Sequence, residues 1–528
     1  MIASPPVVGG NVVAVSTAAG PVVFQASTTL VTDAKRILEV GADGAATWVM
    51  DGTVDTDVVG GEVPVYDPSF PDGIANPPAT GRSAVRRSQL ARPSVARKLS
   101  GQDYLIADTG NNRLLRVDRG GRIRWELTSV RDTFKILSSS DSTLLNNPTD
   151  VHLSLIPTAD PTDPTKPPIG YEVHYLIADA GNYRAIEVVD YRDLNGNFRS
   201  IGGDRGEGVV VWVSRLKSRE GRNLRIQKLQ KIQTSVGGVT GIPQIVAVVA
   251  NAQTAGVGGL DIDSSGGAVI RLEYRPYNTF TVLRNTAGAV LPPAPWPASG
   301  SPTGSGYPWP TAAAGASAQT TEPVVNGTVT ATIQEVVLQN GETYKITSPT
   351  YFEQVTLPNG TGGTKPVYMI ADANGVYQIE DGPMGRRVVT WYFNQSHYNT
   401  MNLNPAFSAD GINPRLLVVP GSPAKELPRF QPTAIRRLLN GRYLITNSAV
   451  GQSAVFQTGQ FAGEVLEVIP QFNPDGTPNG GRFGGFSVPQ IISRPNGLGV
   501  GRNTNVQWMG TTSNNTSLID QPLFGDRL

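Results

Sequence analysis

Hydrophobic residues along the chain fall in short bursts that either alternate with polar residues or are β-branched throughout, and Gly, Asn, Asp or Pro interrupts nearly every burst. The stretch from Arg92 to Leu127 shows it plainly, as RPSVARKL, YLIADT, RLLRVD and RIRWEL separated by turn residues. A period of two bounded by turn signals predicts strands, here four in succession with connections short enough for antiparallel pairing. Long helices are not expected.

The phrase YLIADTGNNRLLRVD, Tyr104 to Asp118, returns as YLIADAGNYRAIEVVD, Tyr175 to Asp190. Weaker copies begin at Thr29, Ile245, Tyr368, Tyr443 and Val506, about seventy residues apart, with one interval near twice that. A second marker travels with the first: Gly44, Gly121, Gly208 and Gly385 precede Trp48, Trp125, Trp212 and Trp391, each pair closing a unit. Four antiparallel strands repeated around an axis predict an all-β β-propeller of about seven four-stranded blades, or six if the C-terminal strands join the Thr29 unit. In the seven-bladed arrangement, NVVAVS near the N-terminus completes the last blade. The implied division is an arm of closing strands at 1–27 and a propeller at 28–528 with long inter-strand loops.

The repeated turn resembles the motif of NHL-repeat propellers, (Y/V)-(V/I)-A-D-x-G-N-x-R between the second and third strands. It is matched in full at Asp108, Gly110, Asn111 and Arg113 and again at Asp179, Gly181, Asn182 and Arg184, and in degenerate form elsewhere. In this reading Asp108 bonds backbone N–H groups ahead of it, Gly110 takes a positive φ, and Arg113 pairs with Asp108 or a carbonyl across the hairpin. Units near seventy residues exceed the roughly forty of many such repeats, so the loops must carry insertions.

Composition agrees with a turn-rich β protein: 59 Gly and 41 Pro, with 16% charged residues. A net charge of +1 offers no overall field for nucleic acid or an anionic membrane. The absence of cysteine excludes disulfides, thiolate nucleophiles and Cys-ligated metals. The first 27 residues are uncharged but lack a basic n-region and are broken by Pro and Gly, so neither a signal peptide nor a membrane span is expected. Residues 287–323 form a Pro/Gly/Ala/Ser-rich insertion holding Trp296 and Trp309.

Chemical signatures are sparse. Of three histidines, His152 lies in a strand with Asp150 on its face, His174 precedes the Tyr175 strand and His397 sits in an apparent loop; one channel histidine cannot build a multi-His metal site. Asp261 and Asp263, in DIDSSG, begin like a Ca²⁺ loop, but Leu272 stands where the bidentate carboxylate belongs. Neither G-x-S-x-G nor a P-loop occurs. The basic run from Arg215 to Lys231, with Arg215, Lys217, Arg219, Arg222 and Arg225, reads as a solvated face or a surface for an acidic partner, as does Arg86 to Lys98.

These observations favour a non-enzymatic structural or interaction propeller without a cofactor. Its expected partners are protein subunits of a large assembly such as a phage virion, at whose surface it would lie. Trp296, Trp309 and the basic run are candidate contacts. The competing expectations are a lyase- or lactonase-type propeller enzyme with a channel-bound metal, and a carbohydrate-binding propeller.

Overall fold

A computed structural model describes residues 12–17, 20–25, 28–33, 37–41, 46–50, 53–55, 87–99, 103–158, 168–201, 204–216, 223–232, 235–236, 239–240, 244–250, 267–274, 329–333, 335–337, 343–346, 348–358, 364–382, 387–407, 416–418, 430–438, 440–447, 461–491, 506–508 and 522–527. The chain is all-β. Six sheets of four or more strands are present among these residues, antiparallel except for one parallel contact in the widest, and none is closed into a barrel.

Sheet II is Pro93–Lys98, Tyr104–Asp108, Arg113–Val117 and Ile123–Leu127, the four strands expected from the pattern. Sheet III repeats it with Pro148–Thr158, Gly170–Asp179, Arg184–Asp193 and Val209–Arg215. Sheet IV is Arg225–Ile232, Gln244–Ala250, Ala268–Glu273 and Val329–Ile333. Sheet V is Pro349–Pro358, Thr364–Asp372, Gly375–Asp381 and Arg387–Asn394, widened by Glu335–Val337 and Thr343–Lys345 beyond its last strand. Sheet VI is Pro432–Arg437, Tyr443–Asn447, Phe461–Phe472 and Pro478–Ile491. Sheet I joins Thr29–Asp33, Ile37–Val40 and Ala46–Met50 to the C-terminal strand Pro522–Arg527, which pairs antiparallel with Thr29–Asp33.

Six sheets rather than seven follow from two pairings. Val506–Trp508, the seventh copy of the phrase, pairs with Leu416–Val418 in a two-stranded ribbon. Val12–Thr17, expected to complete the last unit, pairs with Gly20–Gln25 as a hairpin. The C-terminal strand Pro522–Arg527 joins the Thr29 unit instead, the pairing expected in the six-unit alternative.

Each sheet packs on the next in sequence order, and VI packs back on I. Alternation in the strands explains how. In Tyr104–Asp108, Leu105 and Ala107 enter an apolar core shared with Val151, Tyr175 and Ile177 of sheet III, while Tyr104 and Ile106 enter another with Leu30 and Ile37 of sheet I. Leu176 and Ala178 of sheet III face Ile245 and Ala247 of sheet IV, Val246 and Val248 face Ile370 of sheet V, and Leu444 of sheet VI faces Val31 and Leu38 of sheet I. Buried on both faces, the second strands read as continuous apolar runs, and each Leu or Ile stabilises by about 1.5–3 kcal/mol.

The markers fall between sheets. Trp48 of sheet I stacks on Tyr104 of sheet II at 4.4 Å, Trp125 on Tyr175 at 4.3 Å and Trp391 on Tyr443 at 4.1 Å. Sheet IV has Ile245 where sheets II, III, V and VI have Tyr, and Trp212 instead meets Tyr274, edge to face at 5.5 Å. The tryptophans therefore join one unit to the next.

The repeated turn is a 3-10 turn at Thr109–Asn111 and Ala180–Asn182. As expected, Arg113 donates through Nε to Asp108 at 2.8 Å, and Arg184 to Asp179 at 2.7 Å. Two details differ. The Asp108 carboxylate accepts from the Ala91 N–H at 2.7 Å, behind it in the chain, and Asp179 accepts likewise from Asn146 at 2.8 Å. The positive φ belongs to Asn112 (55°) and Tyr183 (54°), not to the glycines. Gly110 is needed for space, since a Cβ there would lie 2.6 Å from the Ala91 carbonyl oxygen, to which its N–H donates. His397 also departs from expectation: it lies in the α-helix Gln395–Leu403, in a capping box with Asn394.

Candidate functional site

Five first strands bring polar side chains to one cavity of about 450 Å³. Four of them begin with Pro, namely Pro93, Pro148, Pro349 and Pro432, and in each the ladder slips by one residue just after it. Proline lacks the N–H for a regular ladder, so a bulge there is expected. Four residues on stand Arg97, His152, Glu353 and Arg436, and Gln230 holds the equivalent register in sheet IV. All five line the cavity, with Asp150, Ser154 and Lys228 beside them. In sheet I, Pro522 is paired like these prolines, which puts Asp526 at the same register.

These groups are bonded across the sheets. Arg97 Nη2 lies 3.0 Å from Asp150 Oδ1 and 3.0 Å from His152 Nε2, while its Nε donates to the Val151 carbonyl at 2.8 Å. Asp150 also accepts from the Leu229 N–H at 3.0 Å, tying sheet III to IV. The Gln230 side chain brackets the backbone of Gln354, accepting from its N–H at 2.7 Å and donating to its carbonyl at 3.2 Å. Arg436 of sheet VI pairs with Glu353 of sheet V at 3.0 Å. Hydroxyls following the prolines add a clasp: Ser94 donates to the Thr149 carbonyl, Thr149 to that of Gln227, and Thr350 to that of Pro432.

Burial works against the Asp150 charge, but His152, Arg97 and Lys228 prevail and hold its carboxyl well below the usual range. Burial and the Arg97 guanidinium push His152 down, with Asp150 opposing them. Burial also lowers Lys228, with Asp150 opposing and Arg97 adding to it. His152 keeps 30% of its side chain exposed and Arg436 25%, surface that faces the cavity.

A second polar cluster is packed between sheets III and IV. His174, inside strand Gly170–Asp179 rather than before it, lies 2.9 Å from Glu187 Oε1 and 3.0 Å from Glu172 Oε2. Tyr274 donates to Glu187, and Lys231 donates to the Tyr274 hydroxyl at 2.8 Å. Burial disfavours the imidazolium, yet the two carboxylates raise His174 to about 9. Burial likewise disfavours the Glu187 charge, but Lys231, His174 and Tyr274 lower it to about 2.

The basic run is not one solvated face. Arg225–Ile232 is the first strand of sheet IV and carries Lys228 and Gln230 into the cavity, whereas Arg215, on the last strand of sheet III, pairs with Asp141. Lys217, Arg219, Arg222, Asp261, Asp263, Trp296, Trp309 and all of 287–323 lie outside the described residues. Among the described residues no three His, Asp or Glu side chains form a metal-ligating group, and no helix is long and apolar enough to cross a membrane. Arg97, Gln230, Glu353 and Arg436 were not singled out in the sequence; for Arg97, Glu353 and Arg436 the signal is a polar residue four places after a strand-opening proline, which Gln230 lacks.

No protein-family model matches the chain, and no curated protein matches it. Among solved structures it is similar to a protein of unknown function from Bacteroides caccae, at 8% identity and a TM-score of 0.31 over 87% of this chain and 94% of that one. It is also similar to a hypothetical selenium-binding protein from Sulfolobus tokodaii, at 9% identity and a TM-score of 0.31 over 93% and 95%. Likeness this slight carries no argument about fold or function.

Proposed function

We propose that the chain is a six-bladed β-propeller, similar in its turn motif to NHL-repeat proteins, and that it serves as a non-enzymatic interaction scaffold in a large protein assembly such as a virion. Support for the ring comes from the cyclic packing order of the six sheets and from the strand that returns from the C-terminal end to sheet I.

The observation that carries the scaffold reading is the way the cavity spends its ionisable groups. Arg97, Asp150 and His152 brace sheets II and III, Asp150 reaches sheet IV, and Arg436 with Glu353 braces V and VI. Groups of the kind that do acid–base chemistry elsewhere are here mutual partners across strands. Three measurements test the reading. Class averages of the purified protein should show a disc with six lobes; seven would overturn the ring. Arg97→Met and Glu353→Gln should lower Tm, and the parent protein should turn over neither lactones nor glycosides. A lactonase or lyase activity lost in His152→Gln at unchanged Tm would overturn the non-enzymatic reading.

A further inference from the structure

Five non-glycine residues among those described hold a left-handed backbone, and four of them flank the two full turns. Asn112 and Tyr183 close the turns of sheets II and III, while Arg92 and Asn147 precede the prolines that open the same sheets (φ 55°, 54°, 50° and 47°). Glycine or asparagine holds such a conformation at least cost, and a bulky ring in it is an outlier that packing or function must justify. Packing does not justify Tyr183. It is 42% exposed, and among the described residues neither its ring nor its hydroxyl has a partner. The ground beside it is fixed. Residues 144–147 run from one turn to the other: Asn182 Nδ2 donates to the Leu144 carbonyl at 2.8 Å, the Gly181 N–H to the Asn146 carbonyl at 2.8 Å, and the Asn147 N–H to Asn112 Oδ1 at 2.7 Å. A Cβ on Gly181 would meet Asn146 at 2.5 Å, so turn and segment are in close contact. Leu144 is 60% exposed, and beside these turns it and Tyr183 are the exposed large apolar side chains among the described residues. Asn147 Nδ2 bonds Asn146 at 2.8 Å, which leaves Asn147 Oδ1 and Asn112 Nδ2 without partners among the described residues.

We propose that this shelf binds a short neutral oligosaccharide, one pyranose ring stacked on Tyr183 and Leu144 and a neighbouring ring sharing its hydroxyls with Asn112 and Asn147. The C–H face of a sugar suits an apolar platform with a polar tip. Vicinal hydroxyls both donate and accept, as the open amide donor and acceptor require. From Leu144 to Asn147 the chain spans at most about 10 Å, the reach of a short run of linked rings. A protein partner buries about 800 Å² on each side, and the apolar part of this shelf is two side chains. A ring held outward at the expense of its backbone is what a preorganised stacking platform needs, and the equivalent place in sheet II carries the cheaper Asn112. The site goes beyond the scaffold reading and does not rest on it.

Calorimetric titration of the full chain with cellotetraose, maltotetraose and mannotetraose tests it, with glucitol, which has hydroxyls but no ring, as the comparison. At least one of the three should bind with Kd below about 1 mM, and glucitol should not bind. Tyr183→Asn, which copies the turn of sheet II, should weaken that sugar about tenfold or more while Tm holds or rises, since the left-handed strain is relieved. Tyr183→Phe should keep most of the affinity, and Ile156→Ser, at the opposite end of sheet III, should change nothing. Should Tyr183→Asn fail to fold, Leu144→Ser and Asn147→Ala carry the comparison. Absence of binding to all three sugars, equal affinity for glucitol, or unchanged affinity in folded Tyr183→Asn would overturn the proposal. So would a lower Tm in Tyr183→Asn, which would make the ring a packing element. Sedimentation in which the parent self-associates and Tyr183→Asn does not would overturn it too, by making the shelf a contact between copies of the chain.

Discussion

The two full copies of the turn differ in how well their arginines are supported, and that difference is measurable. Arg184 is wholly buried and its Nε bonds Asp179, whereas Arg113 bonds both Asp108 and Glu126, the latter at 3.0 Å. Removing a buried carboxylate strands its partner's charge, so Asp179→Ala should cost about 3–5 kcal/mol. Asp108→Ala should cost less, about 1–3 kcal/mol, because Glu126 still faces Arg113. Denaturant midpoints for the two variants check this order, and equal losses would show that Glu126 gives no support. Gly110→Ala should destabilise as well, by about 1–3 kcal/mol, through collision with the Ala91 carbonyl, while Asn112→Gly should be tolerated because Asn112 already holds a positive φ. The identity of these residues and the pairing of Arg113 with Asp108 were legible in the sequence, whereas the backbone partner of Asp108 and the role of Gly110 were not. Gly is most often a φ device, and nothing local reveals that the connecting segment seventeen residues upstream, at Ala91, passes within a hydrogen bond of Asp108.

At the scale of the strand, the second strands were readable as short apolar runs bounded by turn residues, because both faces of YLIAD are packed. The first strands were harder. PSVARK, PTDVHLS, PTYFEQV and PTAIRR share a proline and a polar residue four places on, but Arg, His, Glu and Arg look unrelated until the sheets bring them to one cavity. RIQKLQK has the same alternation without the proline, and its charge density disguised a first strand as a solvated face. The Tyr443 copy has Asn447 in place of the Asp, and Asn447 accepts from the Gln431 N–H at 2.5 Å and keeps the upstream contact. The Trp markers were visible, but their partners lie one unit further along. Trp391 is fully buried, stacks on Tyr443 and donates to the Gly480 carbonyl at 2.7 Å. Trp391→Ala should therefore cost about 3–5 kcal/mol and increase dye binding to exposed apolar surface at the boundary of sheets V and VI. A loss confined to a few tenths of a kcal/mol in thermal and denaturant melts would refute that joining role.

For the molecule as a whole, stability should depend on pH through the cluster between sheets III and IV. His174 is raised from 6.5 to about 9, so its contribution is complete below pH 6.5 and disappears as pH rises through 9. Glu187 is lowered from 4.5 to about 2, so its contribution is complete above pH 4.5 and disappears as pH falls through 2. The contribution of this cluster should accordingly be flat between about pH 4.5 and 6.5 and fall on both sides, so the Tm difference between the parent protein and His174→Gln should shrink as pH rises through 9. Sheet I makes a second whole-molecule prediction. Deleting residues 522–527 uncovers the edge of Thr29–Asp33 and removes the strand lying against sheets II and VI, so the truncated chain should self-associate, detectable by light scattering. The same pairing also fixes when sheet I can exist. Its second strand leaves the ribosome early, and the partner that covers it is made nearly five hundred residues later. At about 5–20 residues per second the interval is on the order of 25–100 s. Throughout it the nascent chain carries an uncovered strand edge and an unfilled apolar seam on either side, so synthesis passes through a stage in which sheets II to VI form an open array awaiting its last member.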